Sequence, residues 1–367
     1  MTTVAASPAG VREPAVASAT GWMDGARVVA MAAVVLIHVV APVVSDGQGE
    51  DLTHPRWWLG NVLDSLARSA VPLFFMVSGA LLLSPERTEG PGRFLRRRLP
   101  RIGVPLLFWS TFYLGFRVVA RGHELGARDA AAALAGGVPY FHLWFLFALL
   151  GLYLTTPLLR VVIRQSSDRF VAWACAVLLL LGAVDQVLTS FLGAGSPNAV
   201  TWFLPHLGYY VAGHLLQRWA LPARAVPVAT GVFASATAVT AVGTWVLARE
   251  SGWSPAAAYL YGYLSPTALA ASVAAFVLLR ALPGRLPLRA GRRWDVAAHR
   301  LSRLALGTYL VHPVLLWVYP SVGLVESYPS RAPALLVALV TQWLVVTVGS
   351  LALTWVALRV PLLRRVF

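Results

Sequence analysis

An all-α fold, a polytopic integral membrane bundle of about ten transmembrane helices, is what this sequence predicts, and three observations predict it. Hydrophobic residues fill 58% of the 367 positions and charged residues only 12%, with a mean hydropathy of +0.68. That leaves too little polar surface for a water-soluble body. Apolar runs of roughly 20 residues, enough for a helix to cross ~30 Å of hydrocarbon, recur along the whole length. Between those runs the basic residues alternate in density, and 23 of the 30 fall on what would be a single side of a bilayer.

Taken in order, residues 1–22 are rich in Ala, Ser and Thr and read as a disordered cytoplasmic tail, leaving 23–367 as one membrane domain. Apolar segments then predict helices near 26–44, 59–83, 101–120, 141–163, 169–190, 201–219, 225–248, 257–281, 303–322 and 333–359. The second is the least regular, because Arg68 and Pro72 interrupt it; proline bends a membrane helix where neighbours satisfy the freed carbonyl. Placing both termini in the cytoplasm puts the arginine-dense segments inside, as the positive-inside rule requires, and makes the protein multi-pass in the plasma membrane. The same rule is the plain explanation of the basic runs Arg93, Arg96, Arg97 and Arg98, and Arg289, Arg292 and Arg293.

Composition and motif content also exclude much. All 30 basic residues are arginine and the net charge is +15, but they are scattered through membrane loops without a groove-reading motif, so no nucleic-acid partner is expected. The single cysteine, Cys175, rules out disulfides and thiolate metal sites. No phosphate-binding loop, HExxH or zinc-spaced Cys/His cluster occurs, and no metal is expected. No internal repeat suggests an inverted-repeat transporter.

Polar groups inside an apolar bundle face its interior and usually act. In the first helix Arg27 and His38 are eleven residues apart, within roughly 20° of whole turns, so they share one face about 16 Å apart along the axis. Such a histidine either packs through a hydrogen bond or does chemistry. The second helix carries Asn61, Asp64 and Arg68, of which Asp64 and Arg68 form an i,i+4 pair of structural type, then Ser78-Gly79, a small pair that lets a helix or ligand approach closely. Arg98-Leu-Pro-Arg101 precedes the third helix, where two guanidiniums suit phosphate oxygens. His206, Tyr210 and His214 form a stripe, and Tyr309 and His312 lie in the ninth helix. These suit a polar cavity wall and inter-helix hydrogen bonding equally well.

Together, Arg27-x10-His38, Phe74-Phe-Met-Val-Ser78-Gly79, Arg98-x-x-Arg101 and Tyr309-Leu-Val-His312 resemble the motif series of the membrane acyltransferase-3 family. The segment from His142-Leu-Trp to Pro157 is similar to members that O-acetylate surface polysaccharides. The resemblance implies transfer of an acyl group, with acetyl expected, from acyl-CoA to a hydroxyl of a glycan, glycolipid or glycosylated small molecule; a macrolide-type product is an alternative acceptor. It also implies roles: Arg98 and Arg101 for the donor's phosphates, His38 as base or nucleophile, Arg27 on the donor or its carbonyl, and Ser78 or the Gly79 amide as oxyanion donor. His206, Tyr210, Tyr309 and His312 would bind substrate. The competing reading is a secondary transporter or lipid-linked-sugar flippase.

Overall fold

The computed structural model describes residues 21–45, 52–84, 89–195, 197–283, 288–323 and 328–367, with the side chains of 288–292 left out. The expected tail, residues 1–20 of it, lies outside the described residues, as do the side chains of Arg289 and Arg292. Among the described residues all regular structure is helical. The chain forms α1 (Gly21–Ser45), α2 (Pro55–Ala67), α3 (Ala70–Leu82), α4 (Pro91–Val119), α5 (Ala127–Ala135), α6 (Trp144–Gln165), α7 (Asp168–Leu192), α8 (Leu207–Arg218), α9 (Ala225–Ser251), α10 (Pro266–Ala281), α11 (Leu288–Ser302), α12 (Ala305–Ser321) and α13 (Ala332–Ala357).

Eight described segments are long and apolar enough to cross a membrane, counting α2 with α3 as one. A ninth forms if the end of α11 and α12, bent by 62°, count together. The sixth expected span, near 201–219, is not among them: it is a single 3₁₀ turn at Leu204–His206 followed by the 12-residue α8, about 18 Å of helix. The second span breaks after Ala67, at Arg68 and Ser69, four residues ahead of Pro72.

One boundary moves further. The third span was expected to start at Arg101, with the arginines in a loop before it. In the structure α4 starts at Pro91 and runs through Arg93, Arg96, Arg97 and Arg98, with Pro100 inside it. Arginine is a good helix former, and its long stem lets the charge leave an apolar zone while the backbone stays helical.

The helix bearing Arg27 and His38 is the axle of the bundle: α1 packs against α2, α3, α10, α11, α12 and α13. Beside it α3 and α8 cross in backbone contact. A Cβ on Gly79 would lie 1.7 Å from the Tyr210 carbonyl oxygen, and one on Gly213 would lie 1.9 Å from that of Met76. Without hydrophobic expulsion between helices in lipid, such small-residue contact is what holds them. Two basic residues that read as orientation signals also cap helices. Arg160 Nε donates to Leu82 O at the end of α3 (2.7 Å), and Arg280 Nη1 donates to Leu216 O in the last turn of α8. Both carbonyls lack an intrahelical donor.

Candidate active site

Two cavities open toward opposite ends of the bundle, and three histidines lie between them. The end from which α1, α4 and α12 start, and at which α3 and α6 finish, is the arginine-rich end. Here a cavity of about 180 Å³ is walled by Arg27, Phe74, Ser78, Tyr153, Ser302 and Tyr309, among others. Arg27 is a third exposed and paired with Asp24 at 3.2 Å. Arg98, Arg27 and Arg101 all lie near enough to Tyr153 for their charges to bear on it, though only Arg27 of the three lines the cavity. Arg98 lies over the Phe94 ring, and Arg101 is exposed.

Tyr309 closes the inner end. It lines the cavity with Phe145, donates its hydroxyl hydrogen to the backbone carbonyl of His142, and packs on the rings of His142 (5.3 Å) and His312 (5.9 Å). Beyond it the His38 ring stacks on His312 at 5.2 Å and meets Phe141 at 4.7 Å, while His312 meets His142 at 5.5 Å. Three imidazoles thus converge from α1, α12 and the turn ahead of α6. His312 is spent on one side, with Nδ1 2.6 Å from Tyr309 O, but its Nε2 and both nitrogens of His142 make no well-formed hydrogen bond to any described residue. His142 is buried among these rings. Among the described residues no group of three His, Cys, Asp or Glu side chains is disposed to hold a metal.

Toward the opposite end lies a cavity of about 450 Å³ lined by Arg68, Trp144, Asp185, Gln186, His206 and Tyr263, with further aromatic residues. Arg68 sits at the break between α2 and α3, paired with Asp64, donating to Tyr261 O at 3.1 Å and lying 4.2 Å over the Tyr261 ring. The Asp64 partner is buried, so the pair forms as its spacing implied. Arg68 is also close enough to His38 for its charge to bear on it. Trp144 packs within this cavity, its ring 5.4 Å from His206 and 5.8 Å from Tyr263, and Phe145, which follows it in sequence, lines the smaller cavity.

The expected residues are therefore only partly brought together. Arg27, Ser78 and Tyr309 share the smaller cavity; His38 and His312 lie just beyond it; His206 lines the larger one. Tyr210 belongs to neither. It is fully buried, its hydroxyl is 2.8 Å from that of Thr156, and its place is in helix packing. His214 likewise is buried, 3.5 Å from Arg218. The Gly79 amide is corrected too: it lies inside α3, where its N–H serves the helix ladder, and the glycine is there for the approach of α8. Spacing gave no signal for the gathering of Tyr153, Tyr263 and Asp185 around these cavities, since each is remote in sequence from the partners it joins.

The sequence profile of an acyltransferase domain matches residues 20–359, nearly the whole chain. No curated protein and no solved structure shows significant similarity. The profile spans all three parts of the site, from Arg27 to His312, and it sets the transporter reading aside. This multi-pass membrane protein is an acyltransferase, and the chain belongs to the acyltransferase-3 family.

Proposed function

We propose that the protein moves an acyl group from acyl-CoA, bound at the arginine-rich end, to a hydroxyl group of a sugar-containing acceptor that enters from the opposite end. The observation that carries this reading is the position of His38: its imidazole cluster has a cation-walled cavity on one side and an aromatic, hydrogen-bonding cavity on the other. Arg98 and Arg101 hold the phosphates of the donor, and Arg27 and Ser78 face its thioester arm as it reaches Tyr309. Guanidiniums suit phosphate because they present paired donors in a plane. The larger cavity suits a sugar: aromatic rings offer flat apolar faces, and Asp185, Gln186 and His206 offer hydroxyl partners.

In the transfer step the acceptor oxygen attacks the thioester carbonyl while His38 takes its proton. The tetrahedral intermediate collapses with cleavage of the carbon–sulfur bond, and His38 returns the proton to the departing thiolate of CoA. Ser78 stabilises the oxyanion, while Arg27, about 16 Å from His38 along α1, orients the donor arm from the cavity wall. The arginine-rich end then faces the cytoplasm, where acyl-CoA is made, in the plasma membrane. The acceptor class is a cell-surface glycan or glycolipid, with a macrolide-type product as the variant to include in any panel. Purified protein in proteoliposomes, supplied with acetyl-CoA and an acceptor panel, is expected to release free CoA thiol in an acceptor-dependent way. Absence of release with every acyl-CoA and acceptor offered rejects the proposal.

A further inference from the structure

Asp24 takes no part in the step just described, yet it joins several parts of the donor end. It lies in the first turn of α1 and is one-fifth exposed. Its Oδ1 accepts from Arg27 Nη1 at 3.2 Å and from Ser302 Oγ at 2.8 Å, and its Oδ2 lies 3.0 Å from His299 Nδ1. Ser302 ends α11 and, like Arg27, lines the smaller cavity. The same stretch of α11 is laid on the start of α1, where a Cβ on Gly25 would meet the Trp294 ring at 3.0 Å and one on Gly21 would meet the Asp295 carboxylate at 3.1 Å. The chain then turns by 62° into α12, which carries Tyr309 and His312. One carboxylate thus connects Arg27 to the corner that leads to the central residues.

The charge of Asp24 works against donor affinity. A carboxylate in contact with Arg27 offsets its pull on an anionic ligand. Its geometric effect is favourable, because a guanidinium held at one nitrogen loses rotamer freedom in advance and keeps its remaining N–H groups aimed in a fixed direction. These two consequences have opposite signatures. Resting on the acyl-CoA reading above, we propose that Asp24 is a positioning residue: it fixes Arg27 on the cavity wall in the orientation in which Arg27 aligns the thioester arm of the donor toward His38, and it ties that orientation to the α11–α12 corner.

The test is steady-state kinetics of Asp24→Asn, Asp24→Glu and Ser302→Ala in the full chain, in proteoliposomes, with whichever of acetyl- to octanoyl-CoA the wild type turns over fastest. Positioning predicts that Asp24→Asn lowers kcat by about tenfold or more, a loss of ~1.4 kcal/mol or more, while the KM for acyl-CoA holds or falls. Asp24→Glu keeps the carboxylate and recovers part of the loss. Ser302→Ala, which removes one hydrogen bond and no charge, lowers kcat by about threefold at unchanged KM. A purely structural pair lowers thermal stability and the amount of inserted protein without separating kcat from KM. An Asp24→Asn enzyme with wild-type kcat overturns the proposal, and so does one whose only change is a lower KM. If that variant does not fold, an unchanged kcat in Ser302→Ala overturns it instead. A wild type inert toward every acyl-CoA rejects the functional reading and this one with it; an active wild type with unaffected variants rejects this one alone.

Discussion

The two ends of the bundle are built by different means. At the arginine-rich end a small cavity is walled by charge and by residues of sequence motifs: Arg27 from α1, Ser78 from α3, Tyr309 from α12, with Arg98 and Arg101 near Tyr153 on its wall. At the other end the cavity is more than twice as large, rich in aromatic residues, and assembled from the connecting segments 197–206 and 253–264 together with Arg68, Trp144 and the end of α7. On the proposed function, an anionic donor calls for a fixed charged grip, whereas an acceptor is met by shape. Loops tolerate change that a packed helix does not. On that proposal, the difference teaches where each kind of specificity is stored: donor recognition in the packed helices, acceptor recognition largely in the segments between them.

Substitutions can break that comparison, and the largest effect is expected at the point both cavities share. His38→Ala should lower acyl transfer by about 10²–10⁴-fold, the range for removing a general base, with normal insertion and thermal stability. A substantial remaining rate would leave His38 as a packing residue and separate the two cavities chemically. Next come the arginines. Arg98→Gln or Arg101→Gln should raise the KM for acyl-CoA about tenfold, since a charge-assisted contact contributes about 1.5–3 kcal/mol, and leave the acceptor KM alone. Lysine at either place should restore only part of the loss, because it keeps the charge without the planar fork. Equal donor KM values for wild type and both Gln variants would return these arginines to the orientation role.

The acceptor end should answer more weakly and on the other substrate. His206→Ala should raise the acceptor KM roughly twofold to tenfold, the value of one ordinary hydrogen bond, with the donor KM unchanged. A shift in the donor KM instead would show that the cavities are not separate sites. The smallest kinetic effect is predicted for Tyr210→Phe. It loses the hydrogen bond to Thr156 and about 1 kcal/mol of stability, read as a lower unfolding temperature in detergent, while both KM values hold. Any change in acceptor KM would restore Tyr210 to the substrate site.

Much of this was legible in the sequence, for reasons that can be named. Hydropathy and charge asymmetry are properties of single segments, so the helical bundle and most of its spans follow from them directly. The eleven-residue spacing of Arg27 and His38 is also local to one helix, and its geometry survives any arrangement of neighbours. By contrast, the His206, Tyr210 and His214 stripe left cavity wall and helix packing equally open. Spacing says which residues share a face but not what that face meets, and here a 3₁₀ turn at Leu204–His206, tighter than the α-helix that follows, lets His206 reach the large cavity while Tyr210 and His214 pack inside. The helical run from Arg93 to Arg101 was missed because its charges lower hydropathy without lowering helix propensity.

What the sequence by itself determined is therefore the nature and most of the positions of the apolar helices, the end at which positive charge collects, and the shared face of α1. The tertiary structure alone decided that His142 and His312 join His38, that Tyr309 stands between them and the donor cavity, and that Asp24 reaches from α1 to Ser302. These contacts join residues up to 278 positions apart. They depend on how closely the helices approach, as Gly79 and Gly213 allow α3 and α8 to do. Local periodicity carries no information about such distances, because a helix of given sequence can present its face to any neighbour whose surface fits.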